Sequence, residues 1–178
     1  MDNDTIKQIK EGDRAAFRVL YDKYAHYAIR VATAVTKDES LAADAVQETF
    51  IRVYQHLDQY DENKPFKPWF YRILLNECRR ILERSGKLVP LDQEWDNDQS
   101  LAKQDEYTFE QYGDLYQAIT NLKGLYRIPL ILKYLHDLSE LDIAEALNIK
   151  HNTVKSRLFK ARQLLRKALE QEEAKEGS

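Results

Sequence analysis

The scarcity of glycine and proline is the feature that most restricts what this chain can fold into. Five glycines and four prolines occur in 178 residues, whereas average usage of about 7% would give roughly a dozen glycines alone. These two residues form most of the tight turns between short β-strands, so the chain lacks the turns of a many-stranded sheet. We therefore predict an all-α fold.

Apolar residues recur at helical spacing in two separate stretches, over residues 12–81 and again from residue 112 onward. Between them, residues 86–111 lose the period and carry seven acidic against two basic side chains. Such a composition is typical of a linker. The sequence predicts two small helical domains, residues 1–85 and 112–178, joined by a flexible acidic linker.

Composition also bears on cellular location. Cys78 is the sole cysteine, so no internal disulfide can form, and the first residues lack the basic and apolar stretches of a signal peptide. No segment approaches the ~20 apolar residues of a membrane span. We expect a cytoplasmic protein without membrane insertion, in which Cys78 packs on the buried side of a helix.

Patterns typical of enzymes are missing from the sequence. It has no glycine-rich phosphate loop and no Glu-x-x-His or Cys-x-x-Cys spacing. Asp44 and Glu48 share a helical face, but no further ligand accompanies them at a fixed spacing. We predict no catalytic residue, no metal site and no cofactor.

The C-terminal stretch has the pattern of a helix-turn-helix. Ser139 and Asp142 predict a capping box that starts a short helix through Leu147, and residues 148–150 predict a turn. A second helix begins near Asn152. Its apolar stripe consists of Val154, Leu158, Ala161 and Leu165.

The opposite arc of this second helix carries donors, cations and one flat apolar ring. Its members are Asn152, Lys155, Ser156, Phe159, Lys160 and Arg162. Residues 148–167 include seven basic side chains and no acidic one. Such a face suits a major groove, with the cations at phosphates. The alternative is a solvated basic face on a bundle helix.

The N-terminal half has two surfaces of interest. A helix predicted over residues 41–57 has a polar face with one exposed isoleucine, which is typical of a protein interface although single surface apolar residues are common. The members of this face are Asp44, Gln47, Glu48, Ile51 and Gln55.

A helix predicted over residues 69–83 combines an aromatic ring with cations on its exposed side. The members of that side are Trp69, Arg72, Asn76, Arg79 and Arg80. Bases stack on aromatic rings and guanidinium groups hold the backbone of a single strand, so this side suits single-stranded nucleic acid. The alternative is that Trp69 closes the core over the loop at Pro65.

Together these segments resemble the extracytoplasmic-function (ECF) sigma factors, the two-domain specificity subunits of bacterial RNA polymerase. Residues 44–50 are similar to the family's polymerase-binding motif, and residues 65–73 with Asn76 to its promoter-melting and minus-ten segment. Residues 138–147 and 153–162 are similar to its helix-turn-helix, which reads the minus-thirty-five element. The resemblance covers nearly the whole chain.

The resemblance implies a role for each surface. The polymerase-binding residues would be Asp44, Gln47, Glu48, Ile51 and Gln55. The minus-ten and melting residues would be Asn63, Lys64, Phe66, Lys67, Trp69, Tyr71, Arg72, Asn76, Arg79 and Arg80. The minus-thirty-five residues would be Asn152, Thr153, Lys155, Ser156, Arg157, Phe159, Lys160 and Arg162.

Partners follow from the same resemblance. They would be core RNA polymerase, contacted at its clamp helices and flap region, promoter DNA, and an anti-sigma factor, which in the family is often membrane-bound. The acidic linker would thread toward the RNA exit path, and the two free domains would take varied relative orientations. A stand-alone helix-turn-helix regulator that uses residues 1–85 for sensing or dimerisation is the second hypothesis.

Overall fold

The computed structural model describes residues 2–86 and 113–176, so the predicted linker lies, apart from Gly86, outside the described residues. All regular secondary structure in these two ranges is helical, which confirms the all-α prediction. The helices are α1 (Asp2–Lys10), α2 (Arg14–Thr36), α3 (Glu39–His56), α4 (Phe66–Arg84), α5 (Gly113–Thr120), α6 (Gly124–Tyr134), α7 (Glu140–Leu147) and α8 (His151–Glu176). A 3₁₀ turn, Leu57–Gln59, follows α3.

Side-chain caps fix where several helices begin. The Asp13 carboxylate accepts hydrogen bonds from the backbone at the start of α2, and the Asp38 carboxylate does so for α3. Ser139 and Asp142 form the predicted capping box: the Ser139 hydroxyl accepts from the Asp142 N–H, and the Asp142 carboxylate accepts from the Ser139 N–H. The sequence signature therefore located the start of α7 correctly.

The first unit, α1 to α4, packs around an aromatic core. The ring of Phe70 lies 4.9 Å from that of Tyr24 and 5.4 Å from that of Phe50. The faces of α3 and α4 that lie opposite their predicted polar faces are apolar and buried. Their members are Ala42, Val46, Phe50, Val53 and Leu57, and Phe70, Tyr71, Leu74, Leu75, Cys78, Ile81 and Leu82.

The second unit, α5 to α8, is built on the predicted helix-turn-helix. Val154, Leu158 and Ala161 are fully buried, and Leu165 is half-buried at the end of the same stripe. The turn between α7 and α8 passes through Asn148, whose left-handed backbone ends α7. One side of α8 therefore packs inward and the other faces solvent.

The two units pack directly on each other, which differs from the varied orientations that we expected. α7 lies against α4, and α6 lies against α2. Buried side chains of both units, among them Leu74 of α4 and Ile143 of α7, belong to one continuous apolar cluster. The buried side of α4 is broad, so it contacts α7 as well as the helices of its own unit.

Among the described residues, no helix combines the length and the hydropathy that crossing a membrane requires.

Candidate functional surfaces

The predicted polymerase-binding residues form one surface of α3. Asp44, Gln47, Ile51 and Gln55 are exposed and Glu48 is half-buried. Ile51 is 41% exposed, a high value for an isoleucine on a packed helix. The structure thus brings all five predicted residues to the same side of the first unit.

An open groove of about 1000 Å³ runs between this surface and α2. Its α2 wall includes Phe17 and Tyr21, while Ile51 and Tyr54 line the α3 wall. Tyr21 and Tyr54 are 44% and 54% exposed, so the groove presents aromatic rings to solvent. This wall was not predicted from the sequence, although the spacing of Phe17 and Tyr21 places both on one side of α2. A groove of this kind suits an apolar helix of a partner protein.

A network of ion pairs connects α3 to α4. Glu77 is 4% exposed and pairs with Arg52 of α3 and with Arg80, whose Nη2 lies 2.7 Å from Glu77 Oε2. The same Arg80 nitrogen lies 3.3 Å from Oε2 of Glu48. A buried carboxylate needs such paired cations. Arg80, which the resemblance assigns to DNA, therefore also holds α4 against the predicted polymerase-binding surface of α3.

The loop before α4 is ordered by its own polar groups. Asp61 Oδ1 accepts hydrogen bonds of 3.0 Å from both the backbone N–H and the side-chain amide of Asn63, which lowers the pKa of Asp61. The Tyr60 hydroxyl donates to the backbone carbonyl of Lys64. The Asn63 and Lys64 side chains are exposed, so both are accessible at the surface.

The aromatic residues of the predicted melting segment divide between surface and core. Trp69 is half-buried, with its ring 5.2 Å from that of Tyr60 and 5.7 Å from that of Phe66. Phe66 itself is 3% exposed and packs on Tyr24. Trp69 therefore covers the loop at Pro65, as the alternative interpretation expected, while one edge of it reaches solvent.

The polar residues of the predicted strand-binding side differ in their availability. Arg72 and Asn76 are exposed and lie on the same side of α4 as Trp69. Arg79 is half-buried and its Nε lies 2.8 Å from Oε1 of Glu83. Trp69, Arg72 and Asn76 therefore form the surface that a nucleic-acid strand could contact.

Lys67 and Tyr71, the remaining residues of this segment, contact the second unit. The Tyr71 hydroxyl and Nδ1 of His136 are hydrogen-bonded at 2.8 Å. The Lys67 ammonium group donates to the backbone carbonyl of His136 at 3.3 Å. The His136 ring is 5% exposed and lies 5.4 Å from the ring of Tyr27. The loop between α6 and α7 therefore covers this part of the predicted melting segment.

His136 should make the stability of the protein depend on pH. Burial and the charges of Lys67 and Arg30 lower its pKa from 6.5 to about 4. Below pH 6.5 this histidine binds a proton in the unfolded chain, whereas in the folded protein it stays neutral down to about pH 4. The stability that neutral His136 contributes is therefore complete above pH 6.5 and decreases toward pH 4. Between about pH 7.5 and about pH 5, the wild type should lose up to about 2 kcal/mol more stability than His136→Gln in guanidinium unfolding. Equal losses in the two proteins would contradict this role of His136.

Arg127 of α6 makes the second polar contact between the units. Its guanidinium donates from Nε and Nη2 to the carbonyl of Ala34 at 3.1 and 2.8 Å, and from Nη1 to the carbonyls of Thr120 and Leu122. Ala34 lies in the last turn of α2, where carbonyls lack partners within the helix and attract cations. Burial lowers the pKa of Arg127 to about 10, so it remains a cation at neutral pH.

Sequence reasoning missed both Arg127 and His136. The one available signal for Arg127 was a cation among the apolar residues 128–132. Its partners are backbone carbonyls, which leave no trace in a sequence. His136 is one of four histidines scattered through the sequence, and no pattern around it indicates its contact with α4.

The predicted DNA-reading residues lie together on the outer side of α8. Asn152, Lys155, Ser156, Phe159, Lys160 and Arg162 are exposed, and Thr153 and Arg157 are half-buried. Phe159 is 58% exposed. The Arg162 guanidinium donates to the Tyr134 hydroxyl at 3.1 Å, which aligns it along the helix surface. A convex helix with donors, cations and one ring on its outer side has the chemistry of a recognition helix.

Two further observations concern metal binding and the reactivity of the cysteine. In residues 2–86 and 113–176, no group of three or more histidine, cysteine, aspartate or glutamate residues could hold a metal ion. Cys78 is fully buried, and burial raises the pKa of its thiol to about 12. The Cys78 side chain packs on the buried side of α4, as we expected from the sequence.

Known families match both units. The model of Sigma-70 region 2 matches residues 20–87, and that of Sigma-70 region 4 matches residues 112–165. The ECF RNA polymerase sigma factor SigW of Bacillus subtilis is 33% identical over 179 residues, which cover 92% of this chain and 94% of SigW. The chain belongs to the ECF sigma factors. As a sigma factor it binds core RNA polymerase and promoter DNA and directs transcription initiation.

Solved structures share the helical arrangement of this sigma factor. RpoE of Bartonella quintana, solved with the anti-sigma factor NepR, has a TM-score of 0.70 at 23% identity over 86% of this chain and 96% of that chain. CnrH, solved with the cytosolic domain of CnrY, has a TM-score of 0.69 at 22% identity over 95% of this chain and 97% of that chain. The fold of the sigma factor is therefore one already seen in experimental structures.

Proposed function

We propose that each of the three surfaces has a different role in transcription initiation. The α3 surface binds the clamp helices of core polymerase, the exposed side of α4 holds the non-template strand at the minus-ten element, and α8 reads the minus-thirty-five element. The flap region of polymerase would contact the second unit. The observation that carries this proposal is the outer side of α8, which combines base-reading donors with phosphate-binding cations on one exposed face.

The proposed domain limits follow the same division. Residues 1–85 form region 2, residues 86–111 the linker and residues 112–178 region 4. The family matches support these limits, since one ends at residue 87 and the other begins at residue 112. Because sigma factors are specificity subunits, we propose that the chain has no catalytic activity of its own and works in the cytoplasm with the polymerase.

Polymerase binding is assigned to α3 and the adjoining groove. The exposed Ile51 stands among polar residues, and the groove beside it is lined by the half-exposed rings of Tyr21 and Tyr54. Apolar residues and tyrosines within a polar rim are typical of energetic centres in protein interfaces. A helical hairpin of the polymerase clamp fits a groove of this shape.

Strand binding is assigned to Trp69, Arg72 and Asn76. The ring can stack on an unpaired base, Arg72 can neutralise a phosphate, and the Asn76 amide can read a base edge. Extruding a base from the duplex costs a few kcal/mol, which these contacts must offset.

An anti-sigma factor is proposed as the regulatory partner. Support comes from the complexes of RpoE with NepR and of CnrH with the cytosolic domain of CnrY. An anti-sigma factor that covered the α2–α3 groove would compete with polymerase for the same apolar surface.

Transcription from a genomic template pool tests the proposed function. Purified core polymerase is supplied with genomic fragments, with or without the sigma factor, and transcript starts are sequenced. Starts that depend on the protein and share two spaced upstream elements are expected. The absence of such starts, together with tight binding of the protein alone to palindromic duplex, would favour a stand-alone regulator.

Removing the ring of Trp69 should impair promoter opening. The Trp69→Ala variant loses one stacking contact worth about 1–3 kcal/mol, so open complexes should fall about 5- to 150-fold. Permanganate reactivity of unpaired thymines measures opening, while polymerase affinity should stay unchanged. Trp69→Phe is the matched control, since it keeps a ring for stacking. An equal loss in both variants would mean that Trp69 does not act by stacking.

Removing the charge of Lys160 should weaken promoter binding without changing sequence preference. If Lys160 contacts a phosphate, Lys160→Ala should reduce the slope of log affinity against log salt by about 1. Filter binding of the holoenzyme across a salt series measures the slope. Lys7→Ala, on the exposed surface of α1, is the control and should leave it unchanged.

A further inference from the structure

We infer that helix α1 positions the pre-α4 loop, residues 61–65, so that Lys10 and Asn3 act as positioning residues in base recognition. The inference rests on the proposed function, because it requires Asn63 and Lys64 to meet the strand that α4 holds. It adds a role for α1, which lies outside the region 2 match that begins at residue 20.

Polar side chains of α1 hold the chain at the start of the pre-α4 loop. The Lys10 ammonium group donates to the Tyr60 carbonyl at 3.3 Å and to Glu62 Oε1 at 2.8 Å. The Asn3 amide donates to the Glu62 carbonyl at 2.8 Å. Asn3 and Lys10 are seven positions apart, so both lie on one side of α1. Three hydrogen bonds therefore attach this side of α1 to Tyr60 and Glu62.

Helix α1 can serve as a support because it is itself packed on α2. Ile6 and Ile9 of α1 are 0% and 6% exposed. The Asp2 carboxylate accepts a hydrogen bond of 2.8 Å from the Tyr24 hydroxyl of α2. Residues 61–65, in contrast, are all exposed. Burial cannot fix the pre-α4 loop, so its polar contacts must do so.

The hydrogen bonds within the loop define its shape. The Asp61 carboxylate accepts from the Asn63 N–H, and the Asp61 carbonyl accepts from the Lys64 N–H, both at 3.0 Å. These bonds join residues two or three positions apart and close a turn. They do not attach the turn to the rest of the unit. The contacts with α1 do that.

Tyr60 links α1 to the strand-binding side of α4. It is 3% exposed, its ring lies 5.2 Å from that of Trp69, and its carbonyl accepts the hydrogen bond from Lys10. The Tyr60 hydroxyl donates to the Lys64 carbonyl and lies 3.5 Å from Oδ1 of Asn3. One residue therefore contacts α1, the pre-α4 loop and the ring proposed to stack on a base.

Base recognition depends on such positioning more than strand affinity does. Hydrogen bonds to base edges weaken steeply with distance and angle, whereas phosphate attraction and stacking tolerate small shifts. Releasing the pre-α4 loop should therefore reduce sequence preference and leave most of the affinity. Loss of a contact that only stabilises the fold would instead weaken binding to every strand alike.

Sequence preference can be measured with the holoenzyme and single-stranded DNA of about 12 nucleotides, randomised at about six central positions. Retained strands are sequenced, and those retained by core polymerase alone are subtracted. Lys10→Met should lower the preference at one or two neighbouring positions about fivefold, while affinity for the whole pool stays within about twofold. Lys10→Arg keeps donors for Tyr60 and Glu62 and should retain the preference. Lys7→Met, exposed on the same helix, is the matched control and should behave as the wild type.

Glu62→Gln separates positioning from direct attraction to DNA. Lys10→Met removes a positive charge and Glu62→Gln a negative one, so direct effects on DNA affinity would have opposite signs. Positioning instead predicts that both variants lose preference at the same positions, and that the double variant loses no more than either single one. Glu62 is exposed, so Glu62→Gln also decides the matter if Lys10→Met does not fold. The melting temperature of each variant should stay within about 4 °C of the wild type.

Hydrogen exchange measured by NMR reports on the loop directly. The amides of Asn63 and Lys64 are both bonded to Asp61. Their exchange should accelerate severalfold in Lys10→Met, because a turn without its support opens more often. Lys7→Met should leave it unchanged.

Several outcomes would overturn the inference. These are unchanged preference in Lys10→Met and Glu62→Gln, a loss in Lys10→Arg equal to that in Lys10→Met, or unchanged exchange of the loop amides. If the wild-type holoenzyme enriches sequences and both variants enrich the same ones equally, only the positioning role of α1 is wrong. If the wild-type holoenzyme enriches no sequence beyond core polymerase, the proposed strand reading fails and the inference fails with it.

Discussion

Ile51→Asp should reduce the affinity of the sigma factor for core polymerase at least about 30-fold, since the proposed interface has Ile51 at its centre and such a contact contributes about 2 kcal/mol or more. Ile51 is 41% exposed, so an aspartate there faces water in the free protein and the fold should persist. Once polymerase covers this surface, the carboxylate would be buried without a partner, which is strongly unfavourable. Fluorescence anisotropy with labelled sigma factor measures the affinity.

Val19→Asp is the matched control for this change. Val19 is 59% exposed on α2 and does not line the groove. It should bind polymerase within about twofold of the wild type, since isolated surface changes have small effects. If Val19→Asp and Ile51→Asp weaken binding equally, the polymerase surface lies elsewhere. Glu48→Lys is a less informative variant, because Glu48 also pairs with Arg80 and its loss would disturb α4.

Arg127→Met should lower the free energy of unfolding by about 3 kcal/mol, because it leaves one buried and two part-buried carbonyls without their donor, and a buried polar group left unpaired costs about 1–3 kcal/mol. The carbonyls concerned are those of Ala34, Thr120 and Leu122. Guanidinium unfolding followed by circular dichroism measures the change. Arg127→Lys should rescue little of it, since one ammonium group cannot reproduce the planar fork of the guanidinium.

Arg166→Met provides the control for removing a cation. Arg166 is exposed on α8, and its loss should change stability by no more than about 0.5 kcal/mol. Equal stability of the two methionine variants would show that the carbonyl contacts of Arg127 do not stabilise the fold.

Local patterns predicted much of this structure. The apolar stripes of α3, α4 and α8 identified which side of each helix is buried, because a helix repeats its faces every 3.6 residues. The capping box at Ser139 located α7, since it is a contact between residues three positions apart. The exposed side of α8 followed directly from its buried side.

The contact between the two units could not be predicted in the same way. Tyr71 and His136 are 65 positions apart, and Arg127 and Ala34 are 93 apart. Neither pair belongs to a repeating pattern, and one partner is a backbone carbonyl. The burial of Phe66 was missed for a related reason, because an aromatic residue beside a loop can face either the core or the solvent. Such contacts depend on tertiary packing.

The ion pairs between α3 and α4 bear on the engineering of promoter specificity. Glu77 and Arg80 of α4 are matched to Arg52 and Glu48 of α3. If the α4 of another sigma factor were grafted into this chain, Arg52 and Glu48 of α3 would lose the ion pairs that they make with Glu77 and Arg80. A working chimaera should therefore exchange α3 and α4 as one cassette, so that α4, which we propose reads the promoter, keeps the α3 with which its charges are balanced.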